Sequence, residues 1–588
     1  MKKKVIILGG GVAGMSAAHE LLERGFDVEV FEKHKEYVGG KARSVNVPDT
    51  NTQFPDKYLP GEHGFRFFPG FYRHVTDTMK RIPQKTKDRT YSKETCFDNL
   101  VDTETIKIAR YNLPPIVFPT DFIGSWANIK MVYQLAKKHK EILGLLPGEG
   151  MFFGKQLFSI MASCDERRAG QYEQISWWDF MAADGKSDGY QKLLVIGITR
   201  TLVAADAHKA STKTDGNIII QLLYNFINPL IRTDRVFNAP TNEAWLDPWY
   251  DYLVSKGMVY HKHANLKEFS IEDGKIASVQ IHLPEEKKSI HVSGDYYLLA
   301  VPADRADETI SEEMKQLDPA SGKIGNLVKD MSWMTGMQFY LNKEVKINPG
   351  HVNYAYSEWA LTSFDQVHFW KDYDLSTRYN GKVKSILSVD ISDWSDPDSD
   401  GDAADADSLE HIKDQVWQQL EKSLNRPGET VIDKSMIEFY YLDHDIIIHN
   451  GGKNFNKERM LVNTVDSWKN RPEATTKIPN LFLASDYVKT YTDLATMEAA
   501  NEAARRAVNS ILDASGSNAA KCKLWKLEEP ALLSPIKWYD GMRYRKDPTS
   551  SFSMPLWIKV VMIPWGILYA IYFLLKVIIF KLSGLKPS

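Results

Sequence analysis

The chain has 588 residues, of which 43% are hydrophobic and 25% are charged, and its formal net charge is −3. This length exceeds what one hydrophobic core supports, so we expect about two to four domains. The near-neutral charge, without a basic stripe interleaved with aromatic residues, gives no reason to expect a nucleic-acid partner.

The three cysteines, Cys96, Cys164 and Cys522, are far apart in the sequence. They match neither a zinc spacing nor a disulfide framework, so we expect a reducing compartment and no metal centre. The lysines at the start, followed by an apolar run, are similar to a signal peptide. The apolar run is too short, however, and glycines interrupt it, so we do not expect a signal peptide.

A strand–turn–helix–strand pattern begins the chain. The apolar run Val5–Leu8 is typical of a strand that is buried on both faces. The pattern G-x-G-x-x-G follows at once, then a helical pattern at Met15–Arg24 and a second strand at Val28–Phe31. Gly25 is placed to end the helix. This context predicts a dinucleotide-binding βαβ unit rather than an accidental glycine-rich turn.

The residues of this unit have distinct physical roles. Gly9 makes the tight turn, Gly11 lets the backbone approach a pyrophosphate, and Gly14 lets the helix pack on the strand. The helix N-terminus at Val12–Ala13 attracts the charge of the pyrophosphate. Glu32 would accept hydrogen bonds from the ribose hydroxyls, which disfavours a 2′-phosphate. The motif alone does not separate FAD from NAD.

A second glycine-rich turn follows the predicted ribose acid. It consists of Gly39, Gly40, Lys41, Ala42 and Arg43. An ordinary surface loop is the simpler interpretation. A glycine pair with Arg43 so soon after Glu32 indicates a second approach to the same cofactor, which a simple NAD domain does not need. We place Lys33 in the same predicted cofactor site.

The stretch Gly61–Tyr72 is dense in glycine and aromatic residues. It could be an aromatic core turn, or a loop that lines a flat ring and an apolar substrate. On the second interpretation Gly64, Phe65 and Arg66 contact the cofactor. The candidates near the reacting centre are Glu62, His63 and Arg66, with a purely structural role as the alternative.

Residues 120–165 carry helical apolar patterns with scattered lysines. Such helices are either a domain cap or a basic amphipathic surface that lies on a membrane. We expect a substrate tunnel to open here, with Leu145, Phe153 and Phe158 at its mouth. Farther on, a helix at Trp245–Lys256 and several strands up to Val301, two of them joined by a hairpin turn with Asp273-Gly274 at its centre, predict the return of the chain to the nucleotide domain.

The acidic stretch Asp396–Asp407 nearly matches the spacing of an EF-hand calcium loop. No helix precedes it and its last ligand would be Asp rather than Glu. We therefore favour a solvated loop that caps a helix beginning near Ser408 over a calcium site.

Two features remain toward the C-terminus. A buried strand ends at Asp486, and a strong helix begins at Met497, so its dipole points at a ligand. The tail, Leu556–Phe580, is apolar, but only 16 uncharged residues separate Lys559 from Lys576. A full span needs about 20 residues. Because flanking lysines can snorkel, a span and a shallow in-plane anchor both remain open, with a buried soluble helix as the alternative.

These segments together resemble the flavin amine oxidase superfamily, and within it the carotenoid (phytoene and zeta-carotene) desaturases and related squalene-pathway oxidoreductases. The stretches that carry the resemblance are Gly9–Glu32, Gly39–Arg43, Gly61–Tyr72, Leu299–Pro302, Phe482–Asp486 and Thr496–Ala500. Two departures are Pro69, an extra residue in its stretch, and Lys41, where the family usually has arginine. The stretches 115–240 and 315–450 carry only a general similarity.

The resemblance implies an α/β fold with a Rossmann-type FAD-binding domain built from discontinuous segments and an α+β substrate domain, and the apolar tail adds an expected C-terminal membrane-anchoring helix. It implies noncovalent FAD, with Asp486 at the ribityl or pyrophosphate region and the Met497 backbone facing the pyrimidine side of the flavin. The predicted parts are FAD-binding segments at 1–115, 241–310 and 456–515, a helical substrate- and membrane-facing part at 116–240, a substrate domain at 311–455 and a tail at 516–588.

The function that follows from the resemblance is a membrane-associated FAD oxidoreductase that acts on a long apolar lipid. A quinone or oxygen would accept the electrons, membrane lipids would be partners, and the catalytic part would lie on the cytoplasmic side, at the inner membrane if the chain is bacterial. The lysines Lys576, Lys581 and Lys586 favour this orientation. The alternatives are a fatty-acyl dehydrogenase or isomerase, an amine or amino-acid oxidase, and a nonenzymatic FAD-stabilised membrane scaffold.

Overall fold

The computed structural model describes residues 2–64, 66–85, 90–120, 130, 143–197, 206–398, 401–449 and 452–583. The predictions for Phe65, for the helices at 121–129 and 131–142 and for Lys586 lie outside these residues.

A five-stranded parallel sheet, here called the nucleotide sheet, forms the first layer. Its strands, in spatial order, are Val259–His261, Asp27–Phe31, Lys4–Leu8, Tyr296–Leu299 and Leu481–Leu483. The chain therefore leaves this sheet after its first βαβ unit and returns to it twice, as the strand patterns predict. The helices Val12–Glu23 and Met497–Ser515 pack against each other beside the sheet. The strands Lys4–Leu8 and Leu481–Leu483 are almost fully buried, and their sequences are correspondingly short, continuous apolar runs.

A seven-stranded mixed sheet, here called the substrate sheet, forms the second layer. Its strands, in spatial order, are Ile437–Leu442, Thr335–Leu341, Ser385–Ile391, Leu361–Asp365, Val352–Tyr354, Thr105–Arg110 and Leu113–Pro119. The helix Leu409–Leu424 packs over its apolar face. The predicted boundary at 115 cuts through the last strand, because local patterns do not tell which sheet a hairpin joins. The other domain bounds stay predictions.

The remaining strands form small antiparallel units. A three-stranded sheet contains Asn265–Glu272, Lys275–Leu283 and Lys288–Val292. Its first turn has positive φ at Asp273 and Gly274, which confirms the predicted Asp-Gly hairpin. The two-stranded pairs are Leu100–Asp102 with Arg235–Phe237, Ser44–Asn46 with Pro60–Glu62, Pro83–Lys85 with Tyr91–Thr95, and Ile446–Ile447 with Phe455–Asn456.

The α-helices not named so far connect and cover the sheets. They are His74–Met79, Glu149–Ala162, Asp165–Gly170, Trp177–Phe180, Thr212–Ile227, Asp247–Ser255, Ala303–Thr309, Glu312–Leu317, Ile324–Val328, Ser534–Lys546 and Leu556–Leu582. Two π-helical segments are Gly189–Ile196 and Asn242–Leu246. The single helix predicted at Trp245–Lys256 is thus a π-helical turn followed by an α-helix. The helix that follows the acidic loop begins after Ser408, whose side chain caps it as predicted.

The helical region near residue 150 differs from the prediction of a tunnel mouth. Leu145 and Phe153 are each only 8% exposed and lie in a core cluster with Trp177. Phe158 packs against a second cluster around Ile536. These apolar residues are ordinary core, because the helices pack on one another there, so charged substitutions at these positions are expected to unfold the region.

The C-terminal helix Leu556–Leu582 has 27 residues, which corresponds to about 40 Å and exceeds the roughly 30 Å thickness of a bilayer core. The N-terminal part of the helix contacts the body. Ile558 packs in an apolar cluster, and the Trp565 indole N–H lies 3.2 Å from the carbonyl of Ala531 and 3.1 Å from that of Leu532. The stretch Leu556–Phe580 is long and apolar enough to cross a membrane, and its most apolar window is 0% buried.

A buried ionic cluster links the first helix to the last helix of the nucleotide layer. Glu20 is 2% exposed and pairs with Arg24 at 2.6 Å, Arg81 at 2.5 Å and Arg505 at 3.3 Å. Burial by itself raises the pKa of this carboxyl, but the three guanidinium groups outweigh it and lower the pKa to about 2. The depressed pKa stabilises the fold above the ordinary carboxyl pKa, and this stability is lost as the pH falls through about 2.

We therefore expect Glu20→Gln to lower the free energy of unfolding by about 3 kcal/mol at neutral pH. The difference from the original chain should shrink toward pH 2, where the carboxyl of Glu20 is itself protonated. Urea unfolding at the two pH values measures this. If the difference in free energy of unfolding is the same at both pH values, packing rather than charge explains the loss of stability.

Candidate functional site

The glycine loop after the first strand leaves room for a phosphate at one position only. A Cβ on Gly9, whose φ is +106°, would meet the Ala300 carbonyl at 2.4 Å, and a Cβ on Gly14 would meet the Gly9 carbonyl at 1.9 Å. A Cβ on Gly11 would meet nothing closer than the Gly40 Cα at 3.8 Å. Gly9 and Gly14 are therefore required by packing, whereas Gly11 borders open space at the helix N-terminus.

Glu32 lies at the end of the second strand, 6% exposed, and lines the same space. Its carboxylate accepts hydrogen bonds from the amides of Gly10 at 2.7 Å and His34 at 2.8 Å. Burial raises its pKa, and these two amides oppose the rise. The carboxylate is thus held in place where a ribose would lie.

The second glycine turn lies beside the first. Gly39 and Gly40 have φ of +92° and +59°, and Gly11 forms a β-bridge with Gly39. Arg43 is 1% exposed, donates to the Gly40 carbonyl at 2.9 Å and pairs with Asp445. The guanidinium thus supports the turn.

The lysines and the arginine around this turn hold neighbouring segments. Lys41 donates to the carbonyl of Arg459, and Lys33 pairs with Glu458 at 3.2 Å. Arg66 donates to the carbonyls of Lys41 at 3.0 Å and Ala42 at 3.2 Å. The predicted basic residues therefore lie together, although their donors are directed largely at the protein.

His63 and Glu62 are adjacent in sequence but have different environments. His63 is 5% exposed, its Nδ1 lies 2.7 Å from Asp443, and its Nε2 is buried without a hydrogen-bond partner among the described residues. Burial opposes ionisation of Asp443, yet His63 and Arg43 hold the pKa of this carboxyl well below its usual range. His63 lines the cavity described below.

For Glu62 the structure shows a different role from the predicted one at the reacting centre. Its carboxylate accepts from the Thr241 amide and hydroxyl, both at 2.9 Å, and it does not line the cavity. Burial raises its pKa to about 7. Glu62 is the last residue of the strand Pro60–Glu62 and contacts Thr241, whereas His63 follows the strand and lines the cavity.

Asp486 and Met497 complete the site from the C-terminal end of the chain. The Asp486 carboxylate accepts from the Ser485 hydroxyl at 3.2 Å, and the helix Met497–Ser515 begins after Thr496, whose side chain caps it. This second helix N-terminus borders the same cavity as the first. A group with negative charge or carbonyl oxygens would therefore meet two helix dipoles.

These elements enclose one cavity of about 730 Å³. Its lining includes the predicted residues Gly9, Gly11, Val12, Ala13, Glu32, Lys33, Gly39, Gly40, Lys41, Ala42, Arg43, His63, Gly64, Arg66, Asp486 and Met497. The lining also includes apolar residues, among them Phe71, Ile218, Leu222, Trp333 and Leu461. The cavity therefore combines polar, glycine-rich segments with apolar side chains.

Three lining acids, Glu308, Asp390 and Glu458, were not predicted. Asp390 lies in the substrate-sheet strand Ser385–Ile391 and is 2% exposed. Burial raises the pKa of Glu458, but Lys33, Lys41 and other cations outweigh this effect and lower the pKa to about 2. A signal for Asp390 was available, because an acid between two apolar residues of a strand pattern needs an explanation.

Comparison with known proteins supports the assignment of the fold. The model of the NAD(P)-binding Rossmann-like domain family matches residues 7–82. Zeta-carotene desaturase from Synechocystis sp. is 22% identical over 309 residues, 50% of this chain and 57% of that protein. The chloroplastic zeta-carotene desaturase of Capsicum annuum is 38% identical over 84 residues, 14% of this chain and 12% of that one. The chain thus matches well under two thirds of the length of these relatives.

The solved structure of cyclohexylamine oxidase from Brevibacterium oxydans IH-35A shares the fold. It covers 88% of this chain and 100% of its own, with a TM-score of 0.55 at 11% identity. The residues of the cavity also fit FAD: Gly11 leaves the phosphate approach open, and the buried His63 Nε2 has no partner among the described residues. The chain is therefore similar to the flavin amine oxidases and carotenoid desaturases, and its fold is that of an FAD-dependent oxidoreductase.

Proposed function

We propose that the chain is an FAD-dependent oxidoreductase that removes hydrogen from a long apolar lipid, isoprenoid or acyl, at a membrane surface, with a quinone or oxygen as electron acceptor. The observation that carries the proposal is the cavity, whose lining combines the glycine loops with apolar side chains. The relatives named zeta-carotene desaturases support an apolar isoprenoid as the substrate.

The proposed roles of the residues follow from their positions. FAD, when bound, supplies the two-electron oxidation. The helix N-termini near Gly11 and Met497 would hold its charged and polar groups, and Glu32 would bind its ribose. The apolar lining residues, among them Leu222 and Trp333, would contact the lipid and exclude water from the reacting atoms.

The C-terminal helix supports membrane attachment. Its apolar side chains are largely exposed, for example Ile563 at 65% and Leu568 at 61%. Such a surface is costly in water, because each exposed CH₂ group costs roughly 0.8 kcal/mol. A lipid substrate that stays in the bilayer would then be close to the cavity.

Lipid analysis of a host with and without the chain tests the proposed function. The chain should change the unsaturation of one class of isoprenoid or acyl lipid, and a variant that lacks FAD should leave the lipids unchanged. Amine oxidation with release of hydrogen peroxide, together with an unaltered lipid profile, would contradict the proposal.

Two adjacent leucines on the helix Thr212–Ile227 allow a matched test of the apolar lining of the cavity. Leu222 lines the cavity, whereas Leu223 does not and is 38% exposed. We expect Leu222→Gln to raise KM for the lipid about tenfold, since it removes about 1.4 kcal/mol of apolar contact. Leu223→Gln should leave KM unchanged, and both variants should keep the flavin spectrum. Equal KM values for Leu222→Gln and Leu223→Gln would exclude the part of the cavity at Leu222 as the lipid site.

A further inference from the structure

The buried carboxyl of Asp390 faces the cavity from the substrate sheet. Asp390 is 2% exposed, lines the cavity, and its Oδ1 has no hydrogen-bond partner among the described residues. Such an atom is rare in folded proteins and calls for an explanation. Burial raises the pKa of this carboxyl to about 7, and Arg66 and His351 partly oppose the rise.

The sheet fixes the direction of this side chain. Val389 and Ile391, on either side of Asp390, lie in the core beneath the helix Leu409–Leu424. Because side chains alternate along a strand, Asp390 points to the opposite face, toward the nucleotide layer. The position is therefore set by the strand and does not depend on a loop.

Two glycines leave space around the carboxyl. The Gly336 amide donates to the His63 carbonyl at 3.0 Å, which holds the loop with Gly64 against the substrate sheet. A Cβ on Gly64 would come to 3.0 Å from Asp390 Oδ1, and one on Gly336 to 2.9 Å. Only glycine at these two positions keeps the carboxyl free of side-chain contact on this side.

The nearby charged groups have their own partners. Arg66 donates to backbone carbonyls, His63 pairs with Asp443, and His351 pairs with Asp234 at 2.9 Å. The other acids that line the cavity also have partners: Glu32 with two backbone amides, Glu308 with Arg305, Glu458 with Lys33, and Asp486 with Ser485. Among the described lining acids, Asp390 is thus the one with a buried carboxyl oxygen that has no hydrogen-bond partner.

We propose that Asp390 is the proton acceptor in the lipid oxidation, an inference that rests on the function proposed above. One hydrogen leaves a substrate carbon as hydride, with both bonding electrons, to FAD as the two-electron oxidant. The adjacent carbon loses a proton, and the electron pair of that C–H bond becomes the π bond of the new C=C. The Asp390 carboxylate takes this proton and later releases it to water.

The variant Asp390→Asn tests this role, because the amide has the same shape but cannot take up the proton. Asp365→Asn is the matched control. Asp365 lies on the neighbouring strand, is 7% exposed and has a pKa raised by burial to about 7, but it contacts Ser385 and does not line the cavity. Both variants should bind FAD to the same extent as the original chain.

Two readouts are needed, the oxidation rate against pH and the absorption of bound flavin against pH without substrate. For the original chain and Asp365→Asn, the rate should rise with pH through about 7, because the base must be ionised, and the flavin band should shift over the same range. Asp390→Asn should lose both transitions, and its rate should fall by about 100-fold or more.

An Asp390→Asn protein that keeps the rate or either pH transition overturns the proton-acceptor role, even if lipid oxidation is confirmed. Failure of the original chain to oxidise any apolar lipid counts against the proposed function instead. In that case the flavin titration without substrate still shows whether the Asp390 carboxyl ionises beside the bound ring.

Discussion

Replacing Gly11 by valine is expected to give a folded but colourless protein that no longer binds FAD. The structure separates the two effects, because a Cβ at this position meets only ordinary contacts in the protein, the closest at 3.8 Å. The side chain would instead fill the space that the pyrophosphate needs. We expect the affinity for FAD to fall by at least about 100-fold, which corresponds to about 2.8 kcal/mol.

Two other glycines provide the controls for Gly11→Val. Gly154→Val lies in an exposed part of a helix with nothing within 4 Å of the new Cβ, so FAD binding should be unchanged. Gly14→Ala should instead destabilise the fold itself, since its Cβ would lie 1.9 Å from the Gly9 carbonyl. Measuring both the flavin absorbance and the thermal unfolding temperature distinguishes the three variants. Normal flavin content in Gly11→Val would exclude the phosphate approach at this loop.

Removing the C-terminal helix is expected to move most of the protein from the membrane fraction to the soluble fraction with FAD still bound. Deletion of Pro555–Ser588 removes the whole helix. Deletion of Gly566–Ser588 keeps the packed Ile558 and the Trp565 hydrogen bonds, so it controls for damage to the body. The exposed apolar surface lies largely in the part that both deletions remove.

Flavin absorbance and the distribution of protein between fractions measure the result. If both deletion variants move to the soluble fraction with equal FAD content, the C-terminal helix is supported as the membrane anchor. Unaltered membrane binding in both would assign the attachment to another surface.

The parts of the fold that the sequence predicted are those with local signals. The unit around Gly9–Glu32 has its strand, turn and helix within one short stretch, so hydrophobic periodicity and glycine spacing sufficed. The hairpin at Asp273 and the helix after Thr496 are local in the same sense. The tail was also identified from composition, although the helix extends beyond the 16 uncharged residues that the sequence pattern emphasised.

The parts that the sequence did not predict depend on contacts between distant segments. Arg43 and Asp445 are paired across 402 positions, and His63 and Asp443 across 380, so no spacing rule connects them. The interpretation of Phe153 as a tunnel-mouth residue failed for the same reason, because an apolar helix face looks alike whether lipid or another helix covers it. Asp390 reaches the cavity only because the loop at Gly64 docks on the substrate sheet.

The most direct test of the proposed chemistry is anaerobic mixing of the FAD-loaded full chain with candidate substrates, followed through the visible flavin band. We expect an isoprenoid or acyl lipid in detergent or vesicles to bleach the flavin band on the time scale of one turnover, and primary amines and amino acids to leave it unchanged. Bleaching by amines, with no change under any apolar lipid, would contradict the proposed chemistry.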